Sequence, residues 1–379
     1  MNDRQLHQHI IGQQGSRGIL NTPVLVVDLE PLKRNIQAMA AFAAAHDVKL
    51  RPHSKTHKSA DIGRLQMAAG AVGLCCAKLG EAEALAEAGL SGLLITSPVV
   101  GSLAIQRLAA LNRRMDNLML VVDNPDNVDA LAEATGAGKP LSLLVDIDPG
   151  SHRTGTASPE AAVALARRIA AHGNLRFAGV QFYCGRQQHI ESYAERRGAI
   201  EERTTYLRGI VASLAEAGLK PAIITGGGTG THEIDANLGV FTELQVGSYI
   251  FMDDQYAVCG LRQDGSAPFE TALLVEARVV SANTAGLATI DAGLKAFATE
   301  AGAPSIVAGA PAGSTFRFTG DEHGAVIVPE GALAPRLGEV VSLTAPHCDP
   351  TVNLYESYHV VRGDTLVDIW PVTGRGRSR

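Results

Sequence analysis

Eight short runs of β-branched and apolar residues, separated by longer Ala-, Leu-, Glu- and Arg-rich stretches of helical period, constrain this chain more than any other feature. The runs are VKLRPHSK (48–55), AVGLCCAK (71–78), GLLITSP (92–98), LMLVVD (118–123), LSLLVDID (141–148), FAGVQFY (177–183), PAIITGG (221–227) and ELQVGSYIF (243–251). Intervening helices such as PEAAVALARRIAAHG (159–173) and RTTYLRGIVASLAEAG (203–218) end at glycines suited to a helix C-terminus. Strands that alternate with helices pair in parallel, and eight such units close into a TIM (β/α)8 barrel. After residue 262 the texture changes to runs such as ALLVEARVVSAN and GEVVSLTAP, separated by Gly, Asn and Asp turns with no helical spacer. That pattern predicts an all-β C-terminal domain. The run TPVLVVDLE (22–30) is a ninth strand, one too many for the barrel, and is assigned to the β domain. The expected organisation is an N-terminal arm over 1–22, a barrel over 23–262 and a β domain over 263–379.

A length of 379 residues fits a barrel plus a smaller partner. The balance of 33 basic against 39 acidic residues, with no basic stripe beyond the tail Arg375, Arg377, Arg379, excludes a nucleic-acid footprint. The first residues lack the charged and apolar segments of a signal peptide, and no apolar run is long enough to span a bilayer, so a cytoplasmic protein is expected, without membrane contact. Five cysteines (Cys75, Cys76, Cys184, Cys259, Cys348) without CxxC spacing argue against a disulfide framework or a cysteine-rich zinc site.

In a barrel of this kind, chemistry collects at the C-terminal ends of the strands. Alternation along the first strand groups Arg51, His53 and Lys55 on the face opposite Leu50, which points Lys55 into the barrel mouth. A lysine confined beside other cations has a lowered pKa and can react with a carbonyl; a structural ion pair is the alternative for the same residue. Arg153, after the Pro-Gly turn of DIDPGSHRTG, can reach an oxygen anion at the barrel centre, or else serves a loop salt bridge. Tyr183 ends the sixth strand, and His189 beyond it is a candidate general acid or base. Gly226, Gly227 and Gly228 of TGGGTGTHE remove three successive Cβ atoms, so that backbone N–H groups can wrap an anion beside the Thr229 hydroxyl. Ser248 and Tyr249 of VGSYIF offer a second set of donors, and phosphate sites after strands seven and eight recur in this fold. A phosphate there, a lysine at strand one, and an Arg and a Tyr between them describe a place for pyridoxal 5′-phosphate (PLP).

Together RPHSKTHK, DPGSHRTG, GGGTGT, VGSYIF and PHCDPTVN resemble the fold-type III PLP enzymes typified by alanine racemase, and within them the D-threonine aldolase and D-serine dehydratase branch. The resemblance covers nearly the whole chain. It implies that Lys55 carries the PLP, Arg153 contacts its phenolic oxygen, Tyr183 lies beside its ring, and Gly226–Gly228, Thr229, Ser248 and Tyr249 bind its phosphate. It further implies a divalent metal beside the PLP, held by a His and the residue two positions on: Cys in dehydratase-like members, Asp in aldolase-like ones. Here these are His347 and Asp349, and an extended 345–349 would turn both to one face with Cys348 away. Such a pair suits Mn²⁺, with Mg²⁺ or Zn²⁺ as alternatives.

The implied activity is cleavage of D-threonine and related D-3-hydroxy-α-amino acids to glycine and an aldehyde; His189 is chosen as the base, directly or through water, from its position in the sequence alone. A PLP- and metal-dependent dehydratase of D-serine or D-threo-3-hydroxyaspartate is the first alternative, and a non-catalytic PLP-binding protein the second. Relatives of this fold type pair as homodimers, so a homodimer is expected on the same resemblance.

Overall fold

The computed structural model describes residues 2–379. One strand, β1 (Val24–Asp28), precedes the eight barrel strands: β2 (Lys49–Leu50), β3 (Leu74–Cys76), β4 (Leu93–Ile95), β5 (Met119–Val122), β6 (Leu141–Ile147), β7 (Leu175–Phe182), β8 (Ile223–Gly226) and β9 (Glu243–Leu244). The barrel strands run parallel in the order β2-β9-β8-β7-β6-β5-β4-β3. Closure between β2 and β3 comes from two bonds, Val72 N–H to Leu50 O at 2.9 Å and Cys75 N–H to Pro52 O at 2.8 Å. The eight strands are those expected from the sequence, and the fold class is a TIM-like barrel with a separate β-rich domain. The first strand is short: its bonds to the neighbouring chain run as far as His53, whose N–H donates to Val246 O at 2.9 Å, and the backbone then turns at Ser54.

Eight further strands follow: β10 (Leu273–Thr284), β11 (Leu287–Ile290), β12 (Ile306–Ala308), β13 (Thr315–Phe318), β14 (Gly324–Ile327), β15 (Val340–Thr344), β16 (Ser357–Arg362) and β17 (Thr365–Pro371). They form a mostly antiparallel sheet in the order β13-β14-β11-β10-β1-β16-β17, with β15 on β10 and β12 on β15. Strand β1 lies inside this sheet, antiparallel to β10 and parallel to β16. Its end caps the helix Leu29–Ala45, where the Asp28 carboxylate accepts the Glu30 N–H at 3.3 Å. From there the chain enters the barrel.

Strand alternation divides the barrel core. Leu93, Ile95, Leu120, Val122, Leu143 and Val145 pack outward against the helices, while Cys75, Leu94, Met119, Val121, Leu144 and Ala178 fill the lower interior. Polar side chains take over toward the C-terminal end. Among the described residues no helix is long and apolar enough to cross a membrane.

Candidate active site

Lys55 reaches the mouth from a 3₁₀ turn (Ser54–Thr56) and not from strand alternation. Three bonds fix that turn: His53 Nδ1 accepts the Lys55 N–H at 3.3 Å, the His53 ring meets the Thr96 hydroxyl at 3.0 Å, and the Ser54 hydroxyl donates to Cys75 O at 2.7 Å. The Lys55 ammonium is in contact with the Asp349 carboxylate. Burial works to lower the Lys55 pKa, but Asp349, with Tyr183 behind it, outweighs burial and holds the amine above its ordinary value. The expected lowering is therefore corrected: the nearest charge is a carboxylate and not a second cation. Asp349, against its own burial, is held well below the usual carboxylate range by Lys55.

A cavity of about 510 Å³ opens beside Lys55, and Arg153, Tyr183, Gln181, Gln245 and His53 line it. The loop carrying Arg153 is folded by Asp148, whose Oδ1 accepts the N–H groups of Gly150, Ser151 and His152 at 2.8–3.0 Å. The Arg153 guanidinium lies 5.6 Å from the centroid of the Tyr183 ring. Below them Asp146 accepts from the Thr154 hydroxyl at 2.7 Å and from Gln181 Nε2 at 2.9 Å, while Gln181 Oε1 accepts from Gln245 at 3.1 Å. Burial pushes the Asp146 carboxyl up to about 6 despite these bonds. Sequence reasoning missed this polar floor; its signal is that Asp146, Gln181 and Gln245 share the inward parity of their strands.

Strand β8 ends at Gly226, and Gly227 turns the loop with φ +67°, a conformation that favours glycine. The Thr229 hydroxyl accepts the Tyr249 N–H at 3.0 Å, which joins this loop to the turn Ser248–Ile250. The Tyr249 hydroxyl is itself taken by Gln66 at 3.1 Å. A Cβ on Gly247 would lie 2.7 Å from the Thr56 hydroxyl, so the Lys55 turn packs directly on the same corner. Among the described residues, no acceptor takes the N–H of Gly227 or Thr229, and the buried Thr56 hydroxyl has no partner.

The PHCDP segment is not extended. Residues Cys348–Val352 form a short helix with His347 as its N-cap residue, and Asp253 accepts the Cys348 N–H at 2.9 Å. Pro350 fits there because N–H groups in a first helical turn have no intrahelical acceptor. Asp349, in that first turn, is carried to Lys55. His347 Nδ1 pairs with Glu300 at 2.7 Å, and among the described residues its Nε2 has no hydrogen-bond partner. Among the described residues no group of three or more His, Cys, Asp or Glu is arranged to hold a metal. All five cysteines are free and buried.

His189 follows the 3₁₀ turn Gly185–Gln187, and its ring packs against Tyr256 at a tilt of 42° with centroids 4.5 Å apart. One edge reaches solvent, yet partial burial and then the fields of His347 and Lys55 lower its pKa, which favours the neutral imidazole. Lys55, Arg153 and Tyr183 thus line one mouth with Asp349 against Lys55, whereas His189 lies outside the cavity lining, against Tyr256.

Known proteins resemble this chain along nearly its whole length. The family model described as alanine racemase, N-terminal domain, matches residues 27–255, and a serine dehydratase domain model matches residues 272–361. The chain is 40% identical to a D-threonine aldolase of Arthrobacter sp. over 95% of its own length and 94% of that protein. The chain belongs to the D-threonine aldolase branch of the alanine racemase-like family. A 3-hydroxy-D-aspartate aldolase of Paracoccus denitrificans is 37% identical, covering 95% of this chain and 93% of that one. In three dimensions the crystal structure of D-threonine aldolase from Filomicrobium marinum superposes with a TM-score of 0.91 at 37% identity, over 95% of this chain and 97% of that one.

Proposed function

We propose that this chain is a lyase that cleaves D-threonine and related D-3-hydroxy-α-amino acids to glycine and an aldehyde, using PLP and a divalent metal. The observation that carries the reading is the meeting of the Lys55 amine and the Asp349 carboxylate, from barrel and β domain, at the edge of one cavity.

PLP fits the residues present. The uncommitted N–H groups of Gly227 and Thr229 and the unpartnered Thr56 hydroxyl supply donors where the turns after β8 and β9 meet the Lys55 turn. Lys55 would hold the aldehyde carbon, Arg153 the phenolic oxygen and Tyr183 one side of the ring; the 226–229 loop and Ser248 would hold the phosphate, while Tyr249, expected from the sequence as a donor, is committed to Thr229 and Gln66 and braces that corner. Bound PLP supplies an electron sink for the pair released at the α-carbon. A divalent ion, Mn²⁺ by preference, fits His347 Nε2 and the Asp349 carboxylate as a mixed nitrogen and oxygen pair with further positions left for water and substrate. When bound, it supplies Lewis-acid polarisation of a hydroxyl. Glu300 fixes the His347 ring so that Nε2 stays directed. His189, neutral and packed against Tyr256, receives the proton of the substrate β-hydroxyl. The walls contributed by the barrel and the short helix Cys348–Val352 orient the scissile bond and limit access of water. A homodimer in the cytoplasm completes the proposal, and its support is the family alone.

The test is product analysis. Purified protein with PLP and Mn²⁺, given D-threonine, is expected to yield acetaldehyde and glycine, whereas 2-oxobutyrate and ammonia would assign it to the dehydratases. Lys55→Ala should lose the visible absorption band and at least on the order of 10³-fold in kcat/KM.

A further inference from the structure

Behind the glycine loop lies a buried hydrogen-bond relay that touches neither the reacting atoms nor the cavity. Its centre is the Thr231 hydroxyl, which receives the Gly228 N–H at 3.2 Å and the Gln188 Nε2 at 3.0 Å. Those two donors occupy its lone pairs, so its own hydrogen goes to Asp235 Oδ2 at 2.5 Å. Gln188 is fastened at both ends of its amide: Oε1 accepts the Gly230 N–H at 3.0 Å, and Nε2 also reaches Cys184 O at 3.2 Å. Gln188, Thr231 and Asp235 are 1%, 0% and 3% exposed.

The glycines are moulded on these side chains. A Cβ on Gly227 would come within 2.5 Å of Asp235 Oδ2, and one on Gly228 within 2.4 Å of Gln188 Oε1. On Gly230 it would lie 1.9 Å from Gln188 O. A polar relay buried this deeply is costly unless every member is satisfied, and when satisfied it selects one backbone shape. Burial pushes the Asp235 carboxyl up to about 7, the expected sign for an acid in such a place.

The geometry points to Gln188, Thr231 and Asp235 as positioning residues that hold the Gly226–Thr229 loop in its anion-accepting shape and tie it to the segment bearing Tyr183 and His189. The inference rests on the reading of that loop as the phosphate site, and it predicts which part of the cofactor will feel the relay. Binding of the phosphate depends on it; reaction of the aldehyde with Lys55 does not.

The experiment titrates the full-length chain, stripped of cofactor, with PLP and separately with pyridoxal, which lacks the phosphate. Thr231→Val keeps the shape but deletes both the acceptor and the donor. Its Kd for PLP should rise about tenfold or more, with the Kd for pyridoxal within about twofold of wild type. Thr231→Ser keeps the hydroxyl and should restore PLP binding to within about threefold of wild type. Should Thr231→Val fold poorly, Asp235→Leu, which removes the acceptor of the Thr231 hydroxyl at similar size, carries the test, with a loss of the same sign that is again confined to PLP. Equal weakening of both aldehydes, or unchanged PLP binding, overturns the proposal. A wild-type chain that binds PLP no better than pyridoxal overturns the phosphate site itself, before any variant is compared.

Discussion

At the scale of single residues, the mouth is a set of ionisable groups displaced from their ordinary pKa by burial and by each other. Asp146 is the one whose consequence for stability is most direct. Its carboxyl titrates near 6 when folded and near 3.8 when unfolded, so the folded state binds a proton more tightly. Such a group contributes stability below about pH 4 that is lost as pH rises through the folded pKa. Between pH 5 and pH 8 the wild type is expected to lose about 1 kcal/mol that Asp146→Asn does not lose. Urea unfolding of both proteins at the two pH values measures it, and parallel changes would refute it. The same residue shows where sequence reading stops. Lys55, Arg153, Tyr183, His189 and Asp349 stand out by type and motif, but Asp146 matters through Thr154 and Gln181, which only the closed barrel brings to it.

At the scale of elements, period-2 and period-3.6 patterns marked all eight barrel strands, because each apolar run has one face toward the helices. Two elements escaped. The run after residue 48 reads as a full strand, yet the Ser54 hydroxyl donates to Cys75 O and the His53 ring meets Thr96, and the chain turns there with Lys55 on the turn. The PHCDP segment reads as extended, yet Asp253 from another element accepts the Cys348 N–H and starts a helix there. None of these partners is local, so neither outcome was visible in the run itself. The short strand β2 is secured by a side chain: Arg51 makes a bidentate pair with Glu243 on β9, both bonds at 2.8 Å, and also donates to Gly92 O. These partners lie 5% and 4% exposed in the barrel interior. Arg51→Met leaves Glu243 buried without its countercharge, and a loss of about 3–5 kcal/mol is expected by chemical denaturation. Adding Glu243→Leu should recover much of it.

At the scale of the whole molecule, the barrel and the sheet are fastened where the chemistry lies. Tyr358 on β16 is fully buried and donates its hydroxyl to His57 O at 2.6 Å, immediately after the Lys55 turn. Tyr358→Phe removes that bond and leaves a buried carbonyl unsatisfied, so a loss of about 1–2 kcal/mol is expected in thermal or urea unfolding. KM for D-threonine should rise with it, since the same contact holds the lysine and the β domain in register. An unchanged KM would show that the two parts are aligned by other contacts.

Strand β1 carries a different consequence, one of timing. It leaves the ribosome early, but its neighbours in the sheet are Leu273–Glu276 and His359–Val361. The nascent barrel is therefore inserted between strands of a sheet that cannot be completed until residues 359–361 have been made. A chain interrupted before residue 340 can have all eight barrel strands and its lysine while lacking His347 and Asp349, so the segment after residue 340 decides whether the mouth has its second wall.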